Sequence, residues 1–197
     1  MIPIEFSKYH GTGNDFIVVN DWNRKLQPTR EEIAGLCRRH FGIGADGFIL
    51  VEPSEEADVK MVYFNADGSP AVMCGNGIRC FAKYVFDHGL VDTRRFDVET
   101  AAGIKHIEII DDGKSTANRI RVDMGAPIFD KDRIGVEMNV DPVLDQTLDT
   151  TMGPVLFSAV SMGNPHAIIE VADVENHPVL NWGLWWRPIL FLPMAPM

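Results

Sequence analysis

The sequence predicts an α+β fold in which an antiparallel sheet or barrel curls around a buried helix. Three observations predict it. Short β-rich runs alternate with turns up to about Thr116, at Ile4–Tyr9, Phe16–Asn20, Phe48–Val51, Val59–Asn65, Phe96–Thr100 and Ile104–Ile110, a spacing that favours an antiparallel sheet or barrel. One helix, from Gly75–Asn76 to about His88, carries Ile78, Phe81, Ala82 and Val85 as an apolar stripe. Cys80 and Tyr84 extend the apolar surface, so that only Arg79 and Lys83 form a polar seam; a helix apolar around most of its circumference is a buried one. After Asn118 the strand pattern restarts with Arg119–Met124, Leu156–Val160 and Ala167–Val171.

The individual elements have local reasons. Thr29 can cap a first helix while Glu32 reaches back three residues later, and Ile33, Leu36 and Cys37 form its inner face, with Gly42 expected to stop it. Gly89 is the expected stop of the second helix. The polar stretch Asp141–Thr151 reads as a loop. Three regions result: 1–117 as a first domain, 118–179 as a second, and 180–197 as a tail of different character. That tail, LNWGLWWRPILFLPMAPM, holds three of the four tryptophans and one charge. Its prolines argue against a spanning helix, which leaves a segment outside the ordinary fold pattern, such as an altered reading frame, or an apolar anchor or contact surface.

Composition narrows the function. With 197 residues, 46% apolar and 23% charged, the chain has the make-up of a globular protein. A formal charge of −10 opposes general nucleic-acid binding, which draws on Lys and Arg against phosphates. The first residues lack a basic start followed by an apolar run and a cleavage site. Three cysteines without regular spacing suggest free thiols in a reducing cytosol, so a cytoplasmic location is expected.

The most informative stretch is Phe64–Cys80, FNADGSPAVMCGNGIRC. Cys74 stands immediately before a Gly-Asn-Gly turn that opens the buried helix, where unpaired N–H groups and the positive helix end favour a thiolate. A free thiol titrates near ~8.5, and a helix N-terminus can lower this to roughly 3.5–7.5. The same amides can hold a carboxylate, and Gly75 and Gly77 would allow positive φ and close approach of a ligand. Cys37 and Cys80, inside helices, read as small buried hydrophobes. HGTGNDF (10–16), NADGS (65–69) and MGNPH (162–166) add polar groups at strand ends. Asn14, Asn65, Asn76 and Asn164 can there read an ammonium and a carboxylate together, or serve simply as turn residues. His10 and His166 have no metal-ligand spacing, so no metal site is expected. Gly11 and Gly13 lack the third glycine of a dinucleotide fingerprint.

HGTGNDF, FGIGADG, FNADGS, MCGNGIRC and MGNPH occur in the order found in the diaminopimelate epimerases, and the chain resembles that family from its N-terminus to about Val179. The resemblance implies two pseudo-symmetric barrel-like domains, each around a central helix, with substrate in the cleft between them. It implies two cysteines working without a cofactor, one removing the α-proton as thiolate and the other delivering a proton to the opposite face. Cys74 matches the first of these. Asn14, Asn65, Gly75, Asn76 and Asn164 match substrate-binding positions, and His166 a histidine near the reaction centre. Implied partners are a small amino-acid substrate, diaminopimelate, and a second copy in a homodimer, without nucleic acid or membrane. The family continues past GNPH with a Glu-Arg pair and a second cysteine, neither of which follows here. An incomplete second domain and an epimerase shortened or frame-altered at its C-terminus are therefore expected, with activity of this chain weak or absent. A non-catalytic module that holds a ligand or anion, or a fragment, are the alternatives.

Overall fold

The computed structural model describes residues 4–110, 117, 119–150 and 153–178. It divides after Met124 into two compact units. The first holds strands β1 (Ser7–Gly11), β2 (Asn14–Asn20), β3 (Gly47–Glu52), β4 (Val59–Asn65), β5 (Arg95–Thr100), β6 (Gly103–Ile109) and β7 (Ile120–Val122), with helices α1 (Arg30–Cys37) and α2 (Gly75–Asp87). The seven strands form one sheet in chain order.

The sheet is mixed rather than antiparallel, because β2 pairs parallel with β3 and β4 parallel with β5. Each parallel step encloses a helix: α1 lies between β2 and β3 in the chain, and α2 between β4 and β5. A parallel pair requires such a crossover. The two helices cover opposite faces. Phe16 and Val18 of β2 and Ile49 and Val51 of β3 join the cluster around α2. Ile17 and Val19, with Phe48 and Leu50, join the cluster around Ile33 and Cys37 of α1. Burial on both faces is why these strands read as unbroken apolar runs, FIVV and FILV.

Helix α2 is the centre of the first unit. Ile78, Phe81, Ala82 and Val85 have no exposed surface, Cys80 and Tyr84 are buried, and Arg79 and Lys83 are half-buried. The helix touches β1, β2, β3 and also β7, so it meets both edges of one sheet. A sheet whose two edges reach the same helix must curl around it. Helix α1 begins at the expected capping box, with Thr29 Oγ1 accepting from the N–H of Glu32 and the Glu32 carboxylate accepting from the N–H of Thr29. It ends earlier than expected, at Cys37. Gly42 instead lies against the helix end, where a Cβ would come within 2.2 Å of the Gly35 carbonyl oxygen. The last carbonyls of α1 accept from Gly44 and Ala45.

The second unit contains α3 (Lys131–Ile134) and the antiparallel strands β8 (Gln146–Thr150), β9 (Gly153–Ser161) and β10 (Pro165–Ile169), with β9 in the middle. Val155, Phe157 and Ala159 alternate along β9 toward Ile134, Val136 and Val143, while Leu156 is half-exposed on the other side. That alternation is the mark of a strand with one buried face. β8 occupies a stretch whose polarity suggested a loop. It is an edge strand whose pairing is supplied by β9, so its own apolar content matters little.

The boundary between domains also moves. Sequence places it at 117/118, yet Ile120–Val122 is hydrogen-bonded to β6 in the first sheet, and the division falls later, after Met124. A three-residue strand carries too little pattern to reveal which sheet will claim it. The tail 180–197 lies outside the described residues.

Replacing Phe81 with alanine should lower the unfolding free energy by about 3–5 kcal/mol, the usual loss for a fully buried aromatic. Urea denaturation followed by circular dichroism would measure it, and a loss under about 1 kcal/mol would mean that the core does not depend on α2 in this way.

Candidate active site

Cys74 is the N-cap residue of α2, extended at φ −144° and ψ 117°. Its position follows from the loop before it. Ala71 N–H donates to the Tyr63 carbonyl and Asn65 N–H to the Ser69 carbonyl, both at 2.9 Å, so residues 66–73 fold back along β4. Gly68 has φ +76°, and a Cβ there would stand 2.2 Å from the Arg30 carbonyl oxygen, which makes glycine obligatory at that turn. Met73 is buried in the core, and Cys74 is left half-buried at its edge.

The sulfur has polar neighbours of opposite kind, besides the Tyr63 phenol. The N–H of Gly77 donates to Sγ at 3.4 Å, and the thiol donates to Asn14 Oδ1 at 3.6 Å. Asn14 arrives from the β1–β2 hairpin. Thr12 and Gly13 both have positive φ there, the mark of the tight primed turns that suit a two-residue hairpin. This explains HGTGND as a hairpin turn. The hairpin presses on α2, since a Cβ on Gly11 would lie 3.2 Å from the Asn76 carbonyl oxygen.

Two amides are oriented by charges of opposite sign. Asn14 Nδ2 donates to Asp46 Oδ2 at 2.9 Å; a carboxylate only accepts, so the amide nitrogen must face it and Oδ1 must turn toward the sulfur. Arg79 donates to Asn76 Oδ1 and, at 2.9 Å, to the Gly75 carbonyl. A guanidinium only donates, so Asn76 is turned with Nδ2 toward Asn14 Oδ1, 3.4 Å away.

Behind Asn14 lies an ion-pair network. Asp15 accepts from Arg39 at 2.6 Å and Lys8 at 2.8 Å, and Arg39 also reaches Asp46 at 2.8 Å. The Arg39 guanidinium above all, with Lys8 behind it, holds the Asp15 carboxyl far below its ordinary 3.8. On the other side of the sulfur, burial first and then the Cys74 sulfur beside it push the Tyr63 phenol well above its usual range. Burial pushes Cys80 up to about 11, and Cys37 is raised for the same reason, in keeping with their expected role as buried hydrophobes.

Of the residues singled out in the sequence, Cys74, Gly75, Asn76 and Asn14 are therefore brought together. Gly75 differs from expectation in its reason: neither it nor Gly77 has positive φ, and a Cβ on Gly75 would meet only the Arg79 guanidinium at an ordinary 3.8 Å. Gly77 is the tighter position, with Cys74 Cβ and the Phe16 ring at 3.3 and 3.5 Å. Asn65 ends β4 and its amide is engaged by Ser69 Oγ at 3.0 Å. Asn164 and His166 belong to the second unit, exposed at the turn between β9 and β10 and at the start of β10. Sequence reasoning missed Asp46, Arg79 and Tyr63. Asp46 was within reach, because it lies in FGIGADG, but a lone acidic residue in a glycine-rich turn carries no sign of the amide it will face. Among the described residues no group of three or more His, Cys, Asp and Glu is placed to hold a metal ion, and no helix is long and apolar enough to cross a membrane.

The fold is shared with solved structures of low sequence identity. A probable proline racemase from Agrobacterium radiobacter superposes with a TM-score of 0.63 at 16% identity, covering 86% of this chain and 52% of the other. A hydroxyproline epimerase from Agrobacterium vitis gives 0.62 at 15%, covering 84% and 51%. Within that fold the family model for diaminopimelate epimerase matches residues 6–129. Diaminopimelate epimerases from Heliobacterium modesticaldum and Moorella thermoacetica are 46% and 45% identical over 183 and 181 residues, and one from Methanococcus maripaludis is 43% identical over 177. The chain belongs to the diaminopimelate epimerase family. It spans 65%, 64% and 63% of the length of these three relatives, which match 91%, 91% and 89% of it.

A folded-state carboxyl held low, like that of Asp15, adds stability that is complete above its unfolded value of 3.8 and is lost as pH falls through the folded value. Asp15→Asn should therefore flatten the acid limb. Urea midpoints compared between about pH 5 and about pH 2 should fall less in the variant than in the parent protein; equal slopes would show that Asp15 is not held low.

Proposed function

We propose that this chain supplies one half of a cofactor-independent diaminopimelate epimerase site, in which Cys74 removes and returns the α-proton of the substrate at one face. The observation that carries this reading is the sulfur held between one donor, Gly77 N–H, and one acceptor, Asn14 Oδ1. The donor and the positive end of α2 stabilise a thiolate. The acceptor stabilises the thiol. A group that must take a proton in one direction and give it in the other needs support in both states.

The first turn of α2 also offers backbone N–H groups for the substrate carboxylate, with Gly75 and Asn76 at its start. Asn14 and Asn65 add the first unit's further substrate contacts in this reading, and the family resemblance gives Asn164 a substrate-binding role and His166 a role near the reaction centre. Without an electron sink, the negative charge that develops as the α-proton leaves would be stabilised by these oriented donors. A reducing cytosol suits the free thiol, and pairing of two copies belongs to the same reading.

Inversion needs a second thiol across the substrate plane. The chain has cysteines only at 37, 74 and 80, and Cys37 and Cys80 are buried. A protein made of these 197 residues should then exchange the α-proton without inverting the centre. With LL-diaminopimelate in D2O, deuterium should enter the α-position while chiral chromatography detects little meso isomer, and Cys74→Ser should abolish the exchange, a fall of at least about a hundredfold. Exchange that survives Cys74→Ser would remove Cys74 from the reaction. Brisk formation of the meso isomer would overturn the need for a second thiol.

A further inference from the structure

We infer that Asp46 is a positioning residue that keeps the carbonyl oxygen of Asn14 turned toward Cys74, where it accepts from the thiol. The inference deepens the reading of Cys74 as a proton-transfer group and rests on it.

The geometry has three parts. Asp46 Oδ2 accepts both from Asn14 Nδ2, at 2.9 Å, and from the backbone N–H of Asp15, at 3.1 Å, so one oxygen grips the amide and the strand that carries it. The other oxygen is occupied by Arg39 at 2.8 Å, which fixes the rotation of the carboxylate. Asn14 Oδ1 is then turned inward, where it accepts from the Cys74 thiol at 3.6 Å and from Asn76 Nδ2 at 3.4 Å. Were the amide reversed, its NH2 would donate to the sulfur and stabilise the thiolate instead. Asp46 at the nitrogen, together with Asn76 at the oxygen, thus holds Asn14 in the orientation that accepts from the thiol.

The charged and titratable groups about the sulfur come from several elements. Asp46 stands just before β3 and Tyr63 lies on β4. Arg79 and Cys80 lie on α2, where Arg79 is tied to Asn76 and Gly75. Asp15 and its partners Arg39 and Lys8 lie behind Asn14. Among the described residues, Asp46 is the one whose side chain bonds the Asn14 amide nitrogen. Its side chain is 44% exposed, and an exposed ion pair adds little to stability, so a substitution there should leave the fold in place.

The test is the rate at which iodoacetamide alkylates Cys74, read by peptide mass spectrometry on the full chain. In Asp46→Ala the rate at neutral pH should rise about three- to tenfold, the range of one ordinary hydrogen bond. At strongly alkaline pH, where every accessible thiol is ionised, the rate should match the parent protein. Asp46→Asn retains an acceptor oxygen for Asn14 and should stay near the parent rate at both. An unchanged or slower neutral rate in Asp46→Ala overturns the inference, and so does an equal rise at both pH values, which would report exposure alone. If Asp46→Ala does not fold, the infrared S–H stretch of Cys74, assigned by difference from Cys74→Ser, decides. A hydrogen-bonded band supports the inference and a free-thiol band overturns it. These rates compare variant with parent, whereas the isotope-exchange experiment judges the epimerase reading, so either can fail alone.

Discussion

The burial of α2 inside a sheet that touches it from both edges is the constraint from which the site follows. Because Ile78, Phe81, Ala82 and Val85 have no exposed surface, the helix cannot shift along its axis or turn without opening the core. Its N-terminus is therefore a fixed point. The β1–β2 hairpin lies across that point, close enough that Gly11 has little room for a side chain. Residues sixty positions apart in the chain, Asn14 and Cys74, meet there.

Around the sulfur the electrostatics work by orientation more than by strength. Arg79 is half-buried and Asp46 is 44% exposed, and an ion pair as exposed as that of Asp46 with Arg39 contributes little to folding. Each nevertheless settles which end of an amide faces inward, because a carboxylate can only accept and a guanidinium can only donate. Two charges of opposite sign thus turn the Asn14 oxygen toward Cys74, while the backbone N–H of Gly77 donates to the sulfur. The same sulfur presses on Tyr63, whose ring stands edge-on to Phe16 at 6.0 Å, so the polar site sits directly on the aromatic core.

Much of this was legible beforehand where the cause is local. The Thr29–Glu32 capping box, the apolar circumference of α2 and the place of Cys74 at its start depend on residues within a turn or two of each other, and all are present. The family likewise followed from motifs that are contiguous in the chain. What escaped is non-local. The parallel pairings of β2 with β3 and of β4 with β5 depend on partners far along the chain, and the capture of Ile120–Val122 by the first sheet and the strand at Gln146–Thr150 depend on the adjoining strand that pairs with each. Gly42 was legible as a glycine with a purpose. Its purpose is close packing on the end of α1 and not the ending of the helix.

By itself the sequence determined the family, the buried helix and the cysteine at its mouth, since periodicity, capping and motif are properties of neighbouring residues. Only the tertiary structure decided which way Asn14 and Asn76 point and which charges turn them. Those choices belong to a register between strands and to a helix docked against them, and no stretch of chain read alone contains both sides of such a contact.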